Sequence, residues 1–192
     1  MADGQAKKYL ELSKSKIVFV TSARYTENLG GIAGADEKCQ QLAEAAGLPG
    51  TYKAWLSDKT SSPATTFTRS NGPYVLVDGT EVASNWLGLT EDYHFVPINI
   101  TETGQDVGES SQWTNTTPSG GPGPCPCPSE AGRPEVRDGS CQNWTSSHGG
   151  LYDGLTGSSS LQLPGWTYNI ISPTHPRIAD CDEMLRLYCF QQ

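Results

Sequence analysis

The chain has 192 residues, enough for one domain, or at most two small ones, with a hydrophobic core of its own. Its 21 Gly and 13 Pro residues exclude a bundle of long helices and predict extensive loops. No apolar run approaches the roughly 20 residues that a membrane-spanning helix needs. The formal net charge of −8 argues against nucleic acids and heparin-like polyanions as ligands.

Charge is distributed unevenly along the sequence. Residues 1–24 hold five basic and two acidic side chains, whereas residues 25–192 hold eight basic and nineteen acidic ones. The first residues lack the apolar segment of a signal peptide. We therefore expect residues 1–16 to form a polar basic tether ahead of a single domain over 17–192.

The first half of the domain shows clear periodicities. A run of β-branched residues predicts a strand over 17–21. Apolar residues at three- and four-residue steps predict a helix over 33–46, with Cys39 in the middle of its apolar stripe and Gly47 at its end. We place Asp36 in the first turn of this helix, where the helix dipole favours an acid. Alternating large residues then predict a strand over 52–57.

A hairpin and a capped turn follow. The segments 74–77 and 80–83 read as two strands, and the Asp-Gly pair between them favours a two-residue type I′ turn. Asn85 is a suitable cap for a short helical turn that runs to residue 89.

The second half has short strands and long loops. Three Trp-Thr pairs, which begin at Trp113, Trp144 and Trp166, are interpreted as inward anchors of one core rather than as a repeat. Residues 118–128 are so rich in Pro and Gly that neither a helix nor an interior strand can form there. This composition predicts a surface insert over 117–138. Alternating apolar residues then predict a closing strand over 185–190.

Six cysteines indicate the compartment. Their positions (39, 125, 127, 141, 181 and 189) contain no Cys-x-x-Cys pair of the kind that marks a structural zinc site. An even number of cysteines in a loop-rich chain favours disulfides made in an oxidising compartment. We therefore expect a secreted or cell-surface protein. Spacing alone does not determine which cysteines pair.

Several ordered blocks of sequence together resemble one family. They are Val18-Phe19-Val20-Thr21-Ser22, residues 28–36 (Asn-Leu-Gly-Gly-Ile-Ala-Gly-Ala-Asp) with Cys39, Tyr52-Lys53-Ala54-Trp55-Leu56-Ser57, Ser62-Pro63-Ala64, residues 72–79 (Gly-Pro-Tyr-Val-Leu-Val-Asp-Gly), Asn85-Trp86 and Arg186-Leu187-Tyr188-Cys189-Phe190. The chain resembles the bacterial extracellular domain family that includes the leptospiral endostatin-like outer-membrane proteins. The similarity runs from about residue 17 to 192, is dense before 104 and becomes sparse through 105–140.

The resemblance implies a fold and a disulfide pattern. It implies an α+β domain of the C-type lectin-like or endostatin-like kind, with a mixed, mostly antiparallel sheet, one or two helices and long loops over one end. The first and last strands should pair. It also implies disulfides Cys39–Cys189 and Cys141–Cys181. Chain-entropy arithmetic gives at most about 5 kcal/mol for the first and about 4 kcal/mol for the second.

The remaining pair, Cys125 and Cys127, leaves three alternatives open. In decreasing order of preference they are a local disulfide that stiffens the insert, two free thiols, and half of a metal site. A disulfide there would close a tiny ring and stabilise the fold by less than about 2 kcal/mol.

Signals for catalysis and for cofactors are weak. No nucleophile elbow and no phosphate-binding loop is present. Sugar-binding C-type lectins present paired acids or amides around a Pro, and the nearest segments, 96–99 and 142–144, depart from that pattern. We therefore predict no enzyme, no cofactor and no assigned metal, and a structural calcium in the acidic loops stays open.

Candidate ligand-binding residues come from the loops. Tyr93, His94, His148 and Tyr152 lie in polar stretches, where we expect exposed side chains and interface contacts. Trp86 and Trp166 are flanked by loops, so each is assigned either to the core, which is the commoner role, or to a ligand site.

These features predict a non-catalytic binding or adhesion module whose recognition surface is built from the loops over about 90–112, 115–140 and 147–164. The resemblance implies host or matrix proteins as partners. Three other functions remain in view: a glycan-binding lectin, a secreted hydrolase with a carboxylate or His assembled by the fold, and a self-associating structural subunit of an extracellular assembly.

Overall fold

A computed structural model describes residues 15–91, 94–123, 139–148, 153–162, 164–168, 170–172 and 175–192. These residues form an α+β fold with mostly antiparallel strand pairing, which confirms the predicted fold class. In chain order the elements are β1 Lys16–Val20, α1 Gly31–Ala45, β2 Tyr52–Ala54, α2 Pro63–Thr66, β3 Tyr74–Val75, β4 Glu81–Ala83, α3 Trp86–Thr90, β5 Ser111–Trp113, α4 Cys141–Trp144, β6 Asp153–Ser158, β7 Ile170–Ser172, β8 His175–Pro176, β9 Ile178–Asp180 and β10 Tyr188–Gln191. Among the helices of these residues, none has both the length and the apolar character required to cross a membrane.

The main sheet has five strands in the order β2-β10-β1-β3-β4. Strand β1 pairs antiparallel with β10, with Val18 opposite Phe190, and parallel with β3. The expected pairing of the first and last strands is therefore confirmed. Because side chains alternate along a strand, Phe19 packs into one buried cluster while Val18 and Val20 pack into another on the opposite face.

Helix α1 covers the first face of this sheet. Its buried residues are Ala35, Cys39 and Ala43, which all belong to the predicted apolar stripe. The Cys39–Cys189 disulfide joins the helix to β10, with 5.5 Å between the Cα atoms. The helix begins at Gly31, two residues before the predicted start. Asp36 therefore lies in the second turn, and its placement in the first turn was wrong.

Aromatic rings fill the opposite face. Trp55 lies at the centre of this cluster, with ring centroids 4.9 Å from Trp166, 5.1 Å from Phe190 and 5.8 Å from Trp86. Trp55 and Trp166 are both fully buried, which confirms the core alternative for Trp166. Such tilted and edge-on pairs add stability beyond the area that they bury.

A second sheet, with strands in the order β5-β6-β9, is formed by the loop-rich second half of the chain. The Cys141–Cys181 disulfide ties the segment before β6 to the residue after β9, with 5.9 Å between the Cα atoms. Both described disulfides thus match the pairing that the family resemblance implies. All three Trp of the Trp-Thr pairs are fully buried, which confirms their role as inward anchors; they are Trp113, Trp144 and Trp166.

The predicted hairpin forms, but its turn differs. Strands β3 and β4 pair antiparallel, Leu76 N–H donates to Thr80 O at 2.8 Å, and Gly79 N–H donates to Leu76 O at 2.9 Å. Of the two predicted turn residues, Gly79 has a positive φ of 86°, whereas Asp78 does not, and a type I′ turn needs both. The prediction of a two-residue turn was therefore wrong, and three residues separate Leu76 from Thr80, the last hydrogen-bonded pair before the turn.

A left-handed turn replaces ordinary helix at α4. The φ angles of Cys141, Gln142, Asn143 and Trp144 are 39°, 60°, 57° and 63°. Each non-glycine residue with left-handed backbone angles lowers the stability of the fold by roughly 1–2 kcal/mol. The turn is held by the Cys141 disulfide, by Ser140 Oγ, which accepts from Asn143 N–H at 3.2 Å, and by the Trp144 indole, which donates to Ser57 O at 3.0 Å.

The two described ends of the Pro/Gly-rich insert meet on the second sheet. A Cβ atom built on Gly123 would lie 2.8 Å from Leu155 Cδ1 and 3.0 Å from Asn115 Oδ1. A Cβ atom built on Gly139 would lie 3.0 Å from the same Leu155 atom and 2.6 Å from the same Asn115 oxygen. Gly123 and Gly139, the described residues on either side of 124–138, therefore lie against the same two side chains.

Candidate ligand-binding cleft

Several sequence-predicted site residues lie outside the described part of the chain. These are Tyr93, Tyr152, Cys125 and Cys127, which therefore stay predictions. The structure does place the other four ligand-binding candidates, His94, His148, Trp86 and Trp166.

His94 is in the core, not on the surface. Its side chain is 2% exposed, and its ring centroid lies 4.8 Å from that of Trp166. The ring Nε2–H donates to Leu89 O at 3.0 Å. Burial lowers the pKa of the imidazole, which the bond to Leu89 only partly offsets. The expectation that His94 is exposed was wrong, because the Trp166 indole and the end of α3 enclose the loop that carries it.

His148 is exposed, as predicted. Its Nδ1 lies 3.3 Å from Ser146 Oγ, just after the left-handed turn. This contact is local, and within the part of the chain that the structure describes the hydrogen bonds of His148 go to Ser146 rather than to the residues around Trp86.

Trp86 lines an open cleft of about 280 Å³ on the protein surface, hereafter the Trp86 cleft. The lining residues come from the loop before β3 and from the first turn of α3: Arg69, Ser70, Asn71, Asn85, Trp86 and Leu87. The Arg69 guanidinium lies over the indole, with its Cζ 5.2 Å from the ring centroid. At this distance the cation is attracted to the ring face. Leu87 beside it is 54% exposed.

Hydrogen bonds fix the two walls of the Trp86 cleft against each other. Asn85 caps α3, with its Oδ1 accepting from Gly88 N–H at 2.9 Å, which confirms the predicted cap. Trp86 N–H donates to Ser70 O at 3.0 Å and so ties the helix start to the loop. Ser70 is held in turn by its own N–H, which donates to Tyr74 Oη at 3.1 Å. The cleft is thus a rigid feature rather than a gap between independent loops.

The insert begins beside this cleft. Gly120 has a φ of 82°, and a Cβ atom built on it would lie 3.2 Å from Cζ2 of Trp86 and 3.2 Å from Ala64 N, so a side chain here would be both strained and crowded. Gly120 O also accepts from Ala64 N–H at 2.9 Å. The first turn of the insert therefore packs on the indole that lines the cleft.

Sequence reasoning found Trp86 and missed Arg69, Asn71 and Leu87. Arg69 precedes Trp86 by 17 positions and lies in a polar turn of ordinary composition. Only the fold brings its guanidinium onto the indole. The strongest signal in the sequence was the Asn85-Trp86 pair itself, because a cap residue places the next side chain at a helix start.

A second cleft lies between α1 and β2, hereafter the Asp36 cleft. Asp36 Oδ1 accepts from Ala54 N–H at 2.8 Å, and Gln40 Oε1 accepts from Tyr52 N–H at 2.8 Å. Burial raises the pKa of Asp36 to about 6, although the bond to Ala54 and the charge of Lys53 act in the opposite direction. The two side chains cover the outward N–H groups of an edge strand, so a structural role accounts for both.

Metal-ligating side chains come together once in the described residues. Glu27, Cys141 and Cys181 have potential ligand atoms within 4.8 Å of one another. Both sulfurs belong to the Cys141–Cys181 disulfide and cannot coordinate a metal as thiolates. The group therefore does not fit a metal site.

Comparisons of the chain with protein-family models and with curated proteins found no match.

Proposed function

We propose that this protein is a non-catalytic binding module, secreted or displayed on a cell surface, that recognises an extracellular protein or matrix component. The observation that carries the proposal is the contact of Gly120 with Trp86. It makes the Trp86 cleft and the base of the insert one continuous surface. Trp and Arg, which meet in this cleft, are the residue types that most often dominate binding energy at protein interfaces.

The two described disulfides support an extracellular location. Disulfides persist in oxidising compartments, and the described cysteines Cys39, Cys189, Cys141 and Cys181 are all paired. The resemblance to the endostatin-like family, together with the pairing of β1 with β10, supports a C-type lectin-like frame. In such a frame the sheets hold the shape while the loops determine the ligand.

The groups with a shifted pKa support binding over catalysis. A general acid or base must reach a substrate. His94 is enclosed by aromatic rings and by Leu89, and Asp36 is bonded to the backbone of β2. The Trp86 cleft is lined by amides, a hydroxyl, a guanidinium and apolar groups. Such a lining suits recognition.

A glycan ligand is less well supported than a protein ligand. Sugar rings stack on open aromatic faces, and Trp86 has Arg69 over its ring, with Trp55 and Phe67 packed at 5.8 and 6.5 Å. The exposed apolar group beside it is Leu87, which suits an apolar side chain of a protein.

The proposal is tested on a panel of purified extracellular-matrix proteins. Binding of the full chain is compared by surface plasmon resonance with binding of two variants. In one, residues 124–138 are replaced by a short Gly-Ser linker, and in the other Leu87 is replaced by Ser. Met184→Ser is the matched control, because Met184 is an equally exposed apolar residue outside the cleft lining.

We expect the full chain and Met184→Ser to bind at least one panel member equally, and both test variants to bind it at least about tenfold more weakly. Equal binding by all four proteins would remove the cleft and the insert from the recognition surface. Binding abolished by EDTA, restored by excess Ca²⁺ and inhibited by simple sugars would replace the proposal with a calcium-dependent lectin.

A further inference from the structure

We propose that the Trp86 cleft is a carboxylate-binding site, in which Arg69 anchors an acidic side chain of a protein ligand. The inference rests on the proposed binding function for its biological role. Its chemistry rests on the cleft alone.

Arg69 is held in place before any ligand arrives. One Nη2–H donates to Ala64 O at 2.9 Å, and the guanidinium Cζ lies over the Trp86 indole, 5.2 Å from the ring centroid. Ala64 is itself fixed, because its N–H donates to Gly120 O at 2.9 Å. A guanidinium has five N–H donors arranged as a planar fork, so these contacts leave donors for a ligand. A fork that is already ordered loses little further conformational entropy on binding a carboxylate.

The other polar groups of the cleft are compatible with an anion. Among the described residues, those that line the cleft include no Asp and no Glu. Asn85 uses its Oδ1 to cap α3, which leaves its Nδ2 as a donor. Asn71 is exposed and carries a second amide. Donors from three side chains thus surround a space without a competing acid.

Two further cations approach the same loop from the main sheet. Lys16 Nζ donates to Thr68 O at 2.5 Å, and Lys53 Nζ donates to Thr66 O at 2.9 Å. The chain as a whole carries −8, but salt screens exposed charges beyond about 8 Å at physiological ionic strength. Arg69, the cation that lines the cleft, therefore determines which charge the cleft attracts, and the two lysines outside the lining add at most a screened contribution.

The surroundings favour a peptide carboxylate over an acidic sugar. The indole face that a sugar ring would need is covered by Arg69, whereas Leu87 offers an exposed aliphatic contact one residue from Trp86. An acidic residue next to a large apolar residue matches this pair. We therefore assign the cleft to an acidic-apolar segment of a protein.

The test uses small probes on the full chain, followed by NMR of the Arg69 Nε–H and Trp86 Nε1–H signals. The probes are the blocked dipeptide N-acetyl-Glu-Leu-amide, its neutral counterpart N-acetyl-Gln-Leu-amide, and the acidic sugar 3′-sialyllactose. We expect saturable shifts of both signals with the Glu probe, and at least about tenfold weaker binding of the Gln probe, because a charge-assisted bidentate contact is lost.

Variants separate the site from its surroundings. Arg69→Gln and Asn71→Asp should each weaken binding of the Glu probe by at least about tenfold, read at the Trp86 signal, since one removes the fork and the other places an acid beside it. Lys53→Gln is the control. It removes a neighbouring cation without changing a residue that lines the cleft. The affinity for the Glu probe should therefore stay within about threefold of wild type, as expected for a solvated charge.

Any of four results would overturn the inference. The Glu probe could give no shift, the Gln probe could bind equally well, or Lys53→Gln could weaken binding as much as Arg69→Gln does. Preferential binding of 3′-sialyllactose would instead make the cleft an acidic-sugar site.

The proposed function fails on different results. If Arg69→Gln binds the matrix panel like wild type while the insert deletion does not, the binding module stands and the cleft has no part in that recognition, whatever the small probes show.

Discussion

Asp36 shows how one side chain can serve the fold at a cost in stability. Its carboxyl accepts the Ala54 N–H, yet burial raises its pKa from 3.8 to about 6. An acid with a raised pKa binds its proton more tightly in the folded state than in the unfolded one. The folded protein is therefore penalised above pH 6, and this penalty disappears as the pH falls from about 6 towards 4.

The substitution Asp36→Asn should remove that penalty, because an amide oxygen still accepts the Ala54 N–H without carrying a charge. We expect the free energy of unfolding at pH 8 to rise by about 1 kcal/mol, a figure reduced for partial exposure to solvent. Urea denaturation at pH 8 and pH 4.5 measures it, and the gain at pH 4.5 should be roughly a third of the gain at pH 8, because most of the penalty has disappeared by that pH. A loss of stability at pH 8 would show that the ionised carboxylate is itself stabilising.

The left-handed turn at α4 offers a second test at the scale of one residue. Gln142 is exposed and has a φ of 60°, a conformation that glycine adopts without steric cost. Gln142→Gly should raise the free energy of unfolding by roughly 1 kcal/mol, and Gln142→Val should lower it by a similar amount. The melting temperatures of both variants check this. If both melting temperatures shift in the same direction, the substitutions act through something other than backbone strain.

Strand β2 is an edge strand with its free side covered. The N–H groups of Tyr52 and Ala54 point away from β10 and are taken by Gln40 and Asp36, which lie one helical turn apart on α1. An uncovered edge offers N–H and C=O groups to a second chain. The helix therefore supplies both a hydrophobic layer and a barrier to strand pairing.

Removing that barrier should promote self-association. The double variant Asp36→Ala/Gln40→Ala exposes both N–H groups, and we expect concentration-dependent dimers or larger species in sedimentation velocity. Asp36→Asn/Gln40→Glu, which keeps both acceptor oxygens, is the control and should sediment as the wild-type chain does. A double Ala variant that matches this control at high concentration would contradict the proposed role of the two side chains.

Local patterns predicted the elements better than their ends. The apolar stripe of α1 and the cap at Asn85 were right because neighbouring residues alone determine them. The turn type after Val77 was wrong because Asp78 keeps an ordinary φ, which the dipeptide does not reveal. Strand β2 ends at Ala54 rather than at residue 57, since Leu56 N–H turns back to Ala54 O at 2.9 Å.

The site depends on contacts that no local pattern encodes. The disulfide pairing came from the family resemblance, because spacing alone left it open. The contact of Arg69 with Trp86 joins residues that are distant in sequence, and His94 looks polar and loop-like until Trp166 encloses it. Tertiary packing, rather than residue type, decided which aromatic stayed accessible.

At the scale of the whole molecule, we expect the insert to contribute little to the stability of the two sheets. The stems Gly123 and Gly139 both contact Asn115 and Leu155, so the gap between them is short. Replacing residues 124–138 by a short Gly-Ser linker should leave the melting temperature within about 4 °C of wild type, a change of no more than roughly 1 kcal/mol. Differential scanning calorimetry measures it. A larger loss would mean that the insert stabilises the domain.

Gly123→Ala serves as the contrasting variant, because its new methyl group meets Leu155 and Asn115 at the point where the stems converge. We expect this one-atom change to lower the melting temperature more than removal of the fifteen-residue segment does.

That convergence has a practical consequence. A segment whose two ends lie against the same side chains can be exchanged for another peptide without changing the two sheets. The Trp86 indole, which Gly120 contacts, would offer a grafted peptide a second point of contact. The domain therefore suits use as a display scaffold, in which foreign epitopes are presented from a crosslinked base and selected in libraries of varied length.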